Sequence, residues 1–164
     1  MQPTDVTVSV LVEKNNRFLM IEERSSGVIV VNQPGGHIET GESPQDAAIR
    51  EALEESGCEV AISELLGLYL WIHPQTRRQY LRIVYTGELL RDHGNERRLD
   101  DGIFAVHWYT LADVQRRVRE LRTPVVLRCI RDYLEGKRQS DELLTAMMPI
   151  QQNVAAVMAN AHLV

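Results

Sequence analysis

Residues 36–58 constrain this chain more than any other stretch, because they join a glycine-rich turn to a helix whose two ends are both marked. Ser43 is a good N-cap residue, and Pro44 suits the first position of a helix. Gly57 suits the position just after the last helical turn, where a left-handed backbone is common. The spacing therefore predicts a helix over residues 44–56.

One face of this predicted helix is crowded with carboxylates. At about 100° per residue, three glutamates fall within an arc of about 100°. They are Glu51, Glu54 and Glu55. Ile49, Ala52 and Leu53 fall on the opposite side, so we expect them to pack on the core. Taken alone, such a face is more often a solvated acidic surface than a metal site. A divalent cation would nevertheless relieve the repulsion, and hard cations prefer oxygen ligands.

The composition narrows the class of protein. A chain of 164 residues with 44% apolar and 25% charged residues suits one soluble globular domain. The net charge of -5 disfavours general nucleic-acid binding but allows a nucleotide substrate, because metal ions can supply positive charge locally. We see no signal peptide and no apolar run long enough to span a membrane, so we expect a cytoplasmic location. Cys58 and Cys129 are expected to be reduced and structural.

The order of the predicted elements indicates an α/β fold. Strands are predicted at residues 6–12, 17–22, 28–31, 59–72 (one or two strands), 79–89 and 104–109, and helices at 44–56, 111–121 and 124–134. This order favours a mixed central sheet covered by helices. We expect one domain over residues 1–138. Residues 139–164 would then form a C-terminal extension, helical and packed on the domain or at an oligomer contact.

The central stretch resembles the signature of the Nudix family, the Nudix box, without a gap. That pattern is a glycine, five residues, Glu, seven residues, Arg-Glu, an apolar residue, any residue, Glu-Glu, any residue, glycine and an apolar residue. The matching positions are Gly36, Glu42, Arg50, Glu51, Ala52, Glu54, Glu55, Gly57 and Cys58. The resemblance implies a Nudix α/β/α sandwich, and most of residues 5–136 fits it.

The resemblance also implies roles for the residues of the box. Glu54 and Glu55 would be metal ligands, and Glu51 would be a further ligand or the base that activates water. The carbonyl group of Gly36, or that of Gly35, would also bind metal. The expected cofactor is Mg²⁺, with Mn²⁺ as an alternative.

Two further box residues would act through the glutamates. Arg50 and Glu42 would form a salt bridge that orients Glu51, because metal ligands are usually held by a second layer of contacts. Together with Glu51 and Glu54 they form the expected catalytic set. The implied chemistry is metal-assisted hydrolysis of a phosphate anhydride.

A narrower resemblance points to the NudJ-type phosphatase branch of the family. It lies in residues 32–39, 71–74 and 80–82. That branch acts on nucleoside tri- and diphosphates and on a thiamin-pyrimidine diphosphate, releasing orthophosphate. One departure is Gly35, where the branch more often has alanine.

Residues outside the box offer candidates for substrate binding. Trp71 and Tyr80 flank a predicted turn and would stack on a base or pyrimidine ring, although aromatic residues in strands are usually core. Arg82, inside a predicted strand, would contact a phosphate group. Asp101, beside Asp100 in the polar loop of residues 91–102, would bring a further carboxylate to the metal ions, or would lie in a solvated turn.

Three functions remain open at this point. The first is a hydrolase of a small phosphate substrate, of nucleoside di- or triphosphate type or of ADP-ribose or dinucleotide type. The second is a non-catalytic sensor of nucleotides, although such a protein would be expected to lose box carboxylates. The third is a prenyl-diphosphate isomerase, which should have a reactive cysteine in an apolar pocket. We expect a monomer or homodimer that binds neither nucleic acid nor membrane.

Overall fold

The computed structural model describes residues 3–140 and 142–143. The strands in this part are β1 (Thr4–Lys14), β2 (Arg17–Ser25), β3 (Val28–Asn32), β4 (Cys58–Ile72), β5 (Gln79–Asp92) and β6 (Ile103–Tyr109). The α-helices are α1 (Pro44–Ser56), α2 (Leu111–Arg116) and α3 (Val125–Leu134). The predicted strands are all confirmed, residues 59–72 forming a single strand, and α1 has the predicted bounds. A short 3₁₀ turn, Gly94–Glu96, lies in the predicted polar loop.

The strands form one mixed sheet that opens along its middle. The strand order is β3-β2-β1-β5-β4, with β6 paired to β2. β1 runs parallel to β5 from Thr4 to Val12, but it pairs with β2 only at Glu13 and Lys14, next to the hairpin turn. The other pairings are antiparallel. The two halves of the sheet therefore diverge away from this turn and leave room between them.

Helices cover both faces of the sheet, which confirms the predicted α/β/α sandwich. On one face, α1 packs on β1 and β4 through a core of valines, alanines, Leu65 and Tyr85. On the other face, α2 and α3 close a second core. Its fully or nearly fully buried members are Leu11, Phe18, Met20, Val31, Leu66, Val84, Val114, Val126, Cys129 and Ile130. Alternation along β1 and β5 divides neighbouring residues between the two cores.

Helix α1 faces the sheet with different residues from those expected. Ala47, Ala48 and Ala52 are fully buried, whereas Ile49 is 36% exposed and Leu53 is half-buried. The three alanines have small side chains, so the helix can lie close to β1. The prediction that Ile49 and Leu53 anchor the helix was therefore wrong. The buried side of α1 instead includes two of the box glutamates, Glu51 and Glu55.

Helix α2 is shorter than predicted, since it ends at Arg116 rather than at Leu121. The chain then turns and pairs with β3. The Val31 N–H donates to the Glu120 carbonyl (2.8 Å), and the Arg122 N–H donates to the Val31 carbonyl (2.9 Å). These bonds to β3, a strand remote in sequence, replace the hydrogen bonds of a longer helix. The spacing of apolar residues does not reveal such a pairing.

The C-terminal extension falls largely outside the described residues, so its predicted helix is not described. Across the described ranges, the helices are all too short or too polar to cross a membrane.

Candidate active site

The glycine-rich turn fills the opening between β1 and β2. The Val8 N–H donates to the Gly36 carbonyl (2.8 Å), and the Val10 N–H donates to the Pro34 carbonyl (3.2 Å). An isolated bridge joins Thr7 to His37. The loop thus satisfies the edge of β1 that β2 leaves unpaired.

Both glycines of this loop are needed for close packing. A Cβ on Gly35 would lie 2.2 Å from the Val8 carbonyl oxygen and 2.7 Å from the Ser9 Cβ. A Cβ on Gly36 would lie 2.4 Å from Glu51 Oε1. Neither glycine has a positive φ. The loop therefore requires glycine because β1 lies behind it and the Glu51 carboxylate lies against it.

Arg50 joins the acidic residues of the box. Its Nε donates to Glu42 Oε1 (2.8 Å) and its Nη2 donates to Glu42 Oε2 (3.0 Å), so the implied Arg50–Glu42 ion pair is present. Its Nη1 donates to Glu51 Oε1 and to Glu54 Oε2, both at 2.9 Å. The hydrogen bond from Arg50 holds the pKa of Glu42 below its ordinary value, while Glu42 and the other two carboxylates raise the pKa of Arg50.

Two glutamates of the box are buried. Glu55 is 8% exposed, and its Oε2 accepts a hydrogen bond from the Gly35 N–H (2.8 Å). Burial raises the pKa of Glu55 to about 8, the nearby charges of Glu23 and Glu51 add to the rise, and the Gly35 bond opposes it. Burial also raises the pKa of Glu51, against the effect of Arg50. Glu51 shares the single Arg50 guanidinium with Glu42 and Glu54, and Glu55 has no ion-pair partner in the described part of the chain.

This donor set fits a hard divalent cation. Carboxylate oxygens and a backbone carbonyl are the ligands that Mg²⁺ and Mn²⁺ prefer. A cation would also add positive charge to a group of four glutamates that has Arg50 as its shared ion-pair partner. In residues 3–140 and 142–143, however, no three acidic, histidine or cysteine side chains form a ready ligand set. Glu51 and Glu54 are not gathered as ligands because each pairs with the Arg50 guanidinium. Arg50 contacts one oxygen of each carboxylate, so gathering the ligands would require the side chains to move while the second oxygens turn to the metal.

A cavity of 540 Å³ adjoins the glutamates. It lies where the two halves of the sheet diverge. Its lining includes residues from β1, β2, β3, β4, β5, the glycine loop and the start of α3. Of the matching positions of the Nudix box, Gly36 and Glu55 belong to this lining, together with Gly35 just before the box. Glu51 and Glu54 are not part of the lining.

The lining also contains most of the predicted substrate-binding residues. The Trp71 and Tyr80 rings stack on each other, with centroids 5.7 Å apart and planes at 29°. Arg82 follows Tyr80 by two positions on β5, so both side chains lie on one face of the strand. Arg82 is only 9% exposed, and its Nη1 donates to Asn32 Oδ1 (3.1 Å). The fold thus brings these three residues to one cavity.

Asp101 lies apart from this group. Its side chain is 92% exposed, pairs with Arg98 at 2.9 Å and does not line the cavity. Its neighbour Asp100 is closer to the box, since the Asp100 N–H donates to the Glu54 carbonyl (2.9 Å). The charge of Asp100 also contributes to the raised pKa of Glu51, after burial and the effects of Arg50 and Glu54. Of the two loop carboxylates, the structure brings Asp100 to the glutamates.

Several lining residues were not found from the sequence. Glu23, Asn32, Arg122 and Thr123 come from β2, β3 and the segment before α3. They are separated by up to about a hundred residues along the chain and share no motif, so only the fold could group them. Cys58 and Cys129 are free and buried, as predicted, and Cys58 packs in the core beneath α1. Cys58, the cysteine of the box, is therefore a core residue and not the reactive pocket cysteine expected for an isomerase.

Comparison with known proteins agrees with this geometry. The sequence pattern of the NUDIX domain matches residues 3–129. Phosphatase NudJ of Shigella boydii is 31% identical over 139 residues, which cover 85% of this chain and 89% of that protein. A NUDIX hydrolase from Nitrosomonas europaea has 34% identity and a TM-score of 0.81, over 92% of this chain and 97% of that one.

A more distant structure has the same fold. It is a bifunctional NMN adenylyltransferase/ADP-ribose pyrophosphatase from Francisella tularensis, complexed with AMP and an Mn ion. It has 21% identity and a TM-score of 0.59, and the alignment covers 83% of this chain and 42% of that one. The domain match and the two nearer relatives, taken with the intact box on α1, show that the chain belongs to the Nudix hydrolase family.

Proposed function

We propose that this Nudix hydrolase uses a divalent metal ion to cleave phosphoanhydride bonds in nucleoside di- and triphosphates or a similar small diphosphate. The observation that carries the proposal is the cavity, whose lining joins Gly36 and Glu55 of the box to Arg82 and to the stacked rings of Trp71 and Tyr80. The similarity to Phosphatase NudJ supports phosphatase activity, and so release of orthophosphate. The NudJ-type resemblance of residues 32–39, 71–74 and 80–82 adds a thiamin-pyrimidine diphosphate to the candidate substrates.

The residues that would hold the metal are three glutamates and a carbonyl group. They are Glu51, Glu54, Glu55 and Gly36. The Gly36 carbonyl already accepts a bond from Val8, which leaves one lone pair for a metal. Bound Mg²⁺, or Mn²⁺ as in the Francisella relative, would neutralise charge on the diphosphate and lower the pKa of a water molecule.

The remaining residues would orient and bind. Glu51 would be a further metal ligand or the base that accepts the proton from water, and its carboxylate lies against Gly36, which lines the cavity. Arg50, itself fixed by a two-point contact with Glu42, would orient Glu51 and Glu54. Glu42 and Arg50 thus act through other side chains.

Substrate recognition would fall to lining residues outside the box. Arg82 would bind a phosphate group, and Trp71 with Tyr80 would form a flat surface for the ring of the substrate. Asp101 remains a predicted substrate contact without support from the cavity lining.

We further propose that residues 1–138 form the hydrolase domain, residues 139–164 an extension, and that the protein acts in the cytoplasm as a monomer or homodimer.

The test is the substitution Glu54→Gln. It removes one carboxylate charge while keeping the shape of a side chain that is 34% exposed, so the fold should survive. We expect orthophosphate release to fall at least about a hundredfold. EDTA should abolish release by the unchanged protein. Glu88→Gln, an equal change at an exposed site on β5, is the matched control. Full activity in Glu54→Gln or in EDTA contradicts the proposal.

The same assay separates the alternatives if it uses a panel of substrates. The panel should contain nucleoside di- and triphosphates, thiamin-related diphosphates, dinucleotides, sugar nucleotides and ADP-ribose, with orthophosphate and pyrophosphate measured separately. Orthophosphate from both nucleoside di- and triphosphates supports the proposed class. AMP from ADP-ribose would favour the ADP-ribose type, and nucleotide binding without turnover would favour the sensor.

A further inference from the structure

Arg82 carries a buried charge that forms no close ion pair with the described residues, although Glu23 and Glu55 lie near enough to act on it. The residue is 91% removed from solvent, since its exposed fraction is 9%. Among the residues that the structure describes, its side chain donates one hydrogen bond, to the neutral side-chain oxygen of Asn32. Within the described ranges, no carboxylate lies in ion-pair distance of its guanidinium. A buried cation without an anionic partner is costly, and this one lines a cavity from which an anion could reach it.

Arg122 lies near the same position and is held there by a chain of polar contacts. Its Nη1 lies 3.1 Å from Glu23 Oε2. Glu23 Oε1 accepts a hydrogen bond from Asn32 Nδ2 (2.8 Å), and Asn32 Oδ1 accepts from Arg82. Glu23 therefore contacts Arg122 and Asn32, and Asn32 orients Arg82. Two of the four described arginines that line the cavity, Arg82 and Arg122, are thus linked through Asn32 and Glu23.

The start of α3 adds further donors to this part of the cavity. Thr123 and Val125 line it, and the backbone N–H of Val125 is among the first of the helix. Pro124, the N-cap residue, offers no side-chain cap, and the Thr123 hydroxyl is buried with no hydrogen-bond partner in the described part of the chain. The first N–H groups of a helix and a free hydroxyl are suitable partners for an oxyanion.

We propose that Arg82, Arg122, the Thr123 hydroxyl and the first N–H of α3 form a phosphate subsite, positioned by Asn32 and Glu23. Guanidinium groups match phosphate oxygens in a two-point geometry. The Thr123 hydroxyl and the helix N–H would bind the remaining oxygens of the tetrahedral anion. The subsite rests on the proposed function, since it holds one phosphoryl group of that substrate. The next phosphoryl group then faces Gly35 and Glu55 across the cavity.

This placement has a consequence for specificity. A diphosphate with a free terminal phosphate can give the subsite several oxygens. In ADP-ribose and in dinucleotides both ends of the phosphate chain are esterified, so fewer oxygens are available. The subsite therefore selects short phosphate chains with a free end.

The experiment measures binding of inorganic phosphate, by titration calorimetry in EDTA at low salt, to the whole chain. We expect Arg82→Gln to weaken the affinity about tenfold or more, because a charge-assisted contact is lost. Thr123→Val keeps the shape of the side chain and removes only the hydroxyl, so a severalfold loss is expected. Arg122→Gln should also weaken binding. Arg91→Gln, at an exposed position on β5, is the control for net charge.

The outcomes separate this proposal from the hydrolase proposal. Glu54→Gln should bind phosphate as the unchanged protein does, although it loses hydrolysis. Absence of phosphate binding by the unchanged protein would overturn the subsite, as would equal losses in Arg82→Gln and Arg91→Gln. If Arg82→Gln does not fold, judged by circular dichroism, then Thr123→Val and Arg122→Gln decide: weakened binding supports the subsite and unchanged binding overturns it.

Discussion

At the scale of single residues, the two neighbouring glycines of the loop have different neighbours. A side chain on Gly35 would meet the backbone of β1, which cannot move without disturbing the sheet. A side chain on Gly36 would meet the end of the Glu51 side chain, which is flexible. One glycine therefore serves the fold, and the other serves the position of a carboxylate. Alanine at Gly35, common in the NudJ-type branch, would require a shift of the loop here.

We therefore expect opposite results from two alanine substitutions. Gly35→Ala should lower the free energy of unfolding by about 1–3 kcal/mol, the usual cost of overpacking. Gly36→Ala should change stability by less than about 1 kcal/mol but lower the hydrolysis rate at least about tenfold, because Glu51 is displaced. Chemical denaturation and turnover measurements check the pair. Gly36→Ala with full activity would show that the position of Glu51 does not matter.

At the scale of elements, α1 is fixed at both ends. The Asp46 N–H donates to Ser43 Oγ (3.1 Å), and Ser43 Oγ donates to Asp46 Oδ2 (2.7 Å). Gly57 adopts φ 69° at the other end, and its N–H donates to the Leu53 carbonyl (3.0 Å). These caps set where the helix begins, and hence which way each glutamate points.

Removal of the N-terminal cap should destabilise the protein measurably. Ser43→Ala should lower the free energy of unfolding by about 1 kcal/mol, since the first turn loses an acceptor that is 4% exposed. Urea denaturation gives this value. Ser63→Ala, an equal change at an exposed position in β4, should alter it by less than about 0.5 kcal/mol. Equal effects of the two substitutions would mean that the cap does not contribute.

At the scale of the whole molecule, Asp132 ties α3 to β4 and to the chain that follows the helix. Its carboxylate accepts from the Tyr69 hydroxyl (3.0 Å), Arg128 Nε (3.0 Å) and Lys137 Nζ (2.7 Å). Burial alone would raise the pKa of Asp132, but bonds from Lys137, Arg128 and Tyr69 outweigh it and lower the pKa. The charged carboxylate therefore stabilises the closed second core.

The lowered pKa gives a pH-dependent prediction. Asp132→Asn should lower the free energy of unfolding by about 1–3 kcal/mol at pH 7. A group whose pKa falls on folding stabilises fully above its unfolded pKa, about 3.9, and loses this effect as the pH falls through the lower folded value. The difference from the unchanged protein should thus shrink below about pH 4. Denaturation at several pH values measures it.

An exposed aspartate provides the control for this prediction. Asp101→Asn breaks an ion pair with Arg98 in which both side chains are largely in solvent. Such pairs contribute less than about 1 kcal/mol, so little change in stability is expected at any pH. An Asp132→Asn variant that is no less stable than Asp101→Asn would contradict the assigned role.

Much of the fold could be predicted because its signals are local. Alternating valines marked β1, and Ser43, Pro44 and Gly57 marked α1 to the residue. The end of α2 could not be predicted, because the bonds between β3 and residues 120–122 compete with the helix. The buried face of α1 was misassigned because small alanines rather than large Ile49 allow the closest approach to the sheet.

The sequence by itself determined the family, the order of the elements and the acidic box, since each depends on residue types at short spacings. Only the tertiary structure decided how the glycine loop enters the opening between β1 and β2. It also decided which side chains face one cavity, grouping Arg82 with Asn32, Arg122 and Thr123 while leaving Asp101 in solvent. The physical reason is that strands distant along the chain form the cavity where they meet in space. Their positions in the sequence do not show which strands meet.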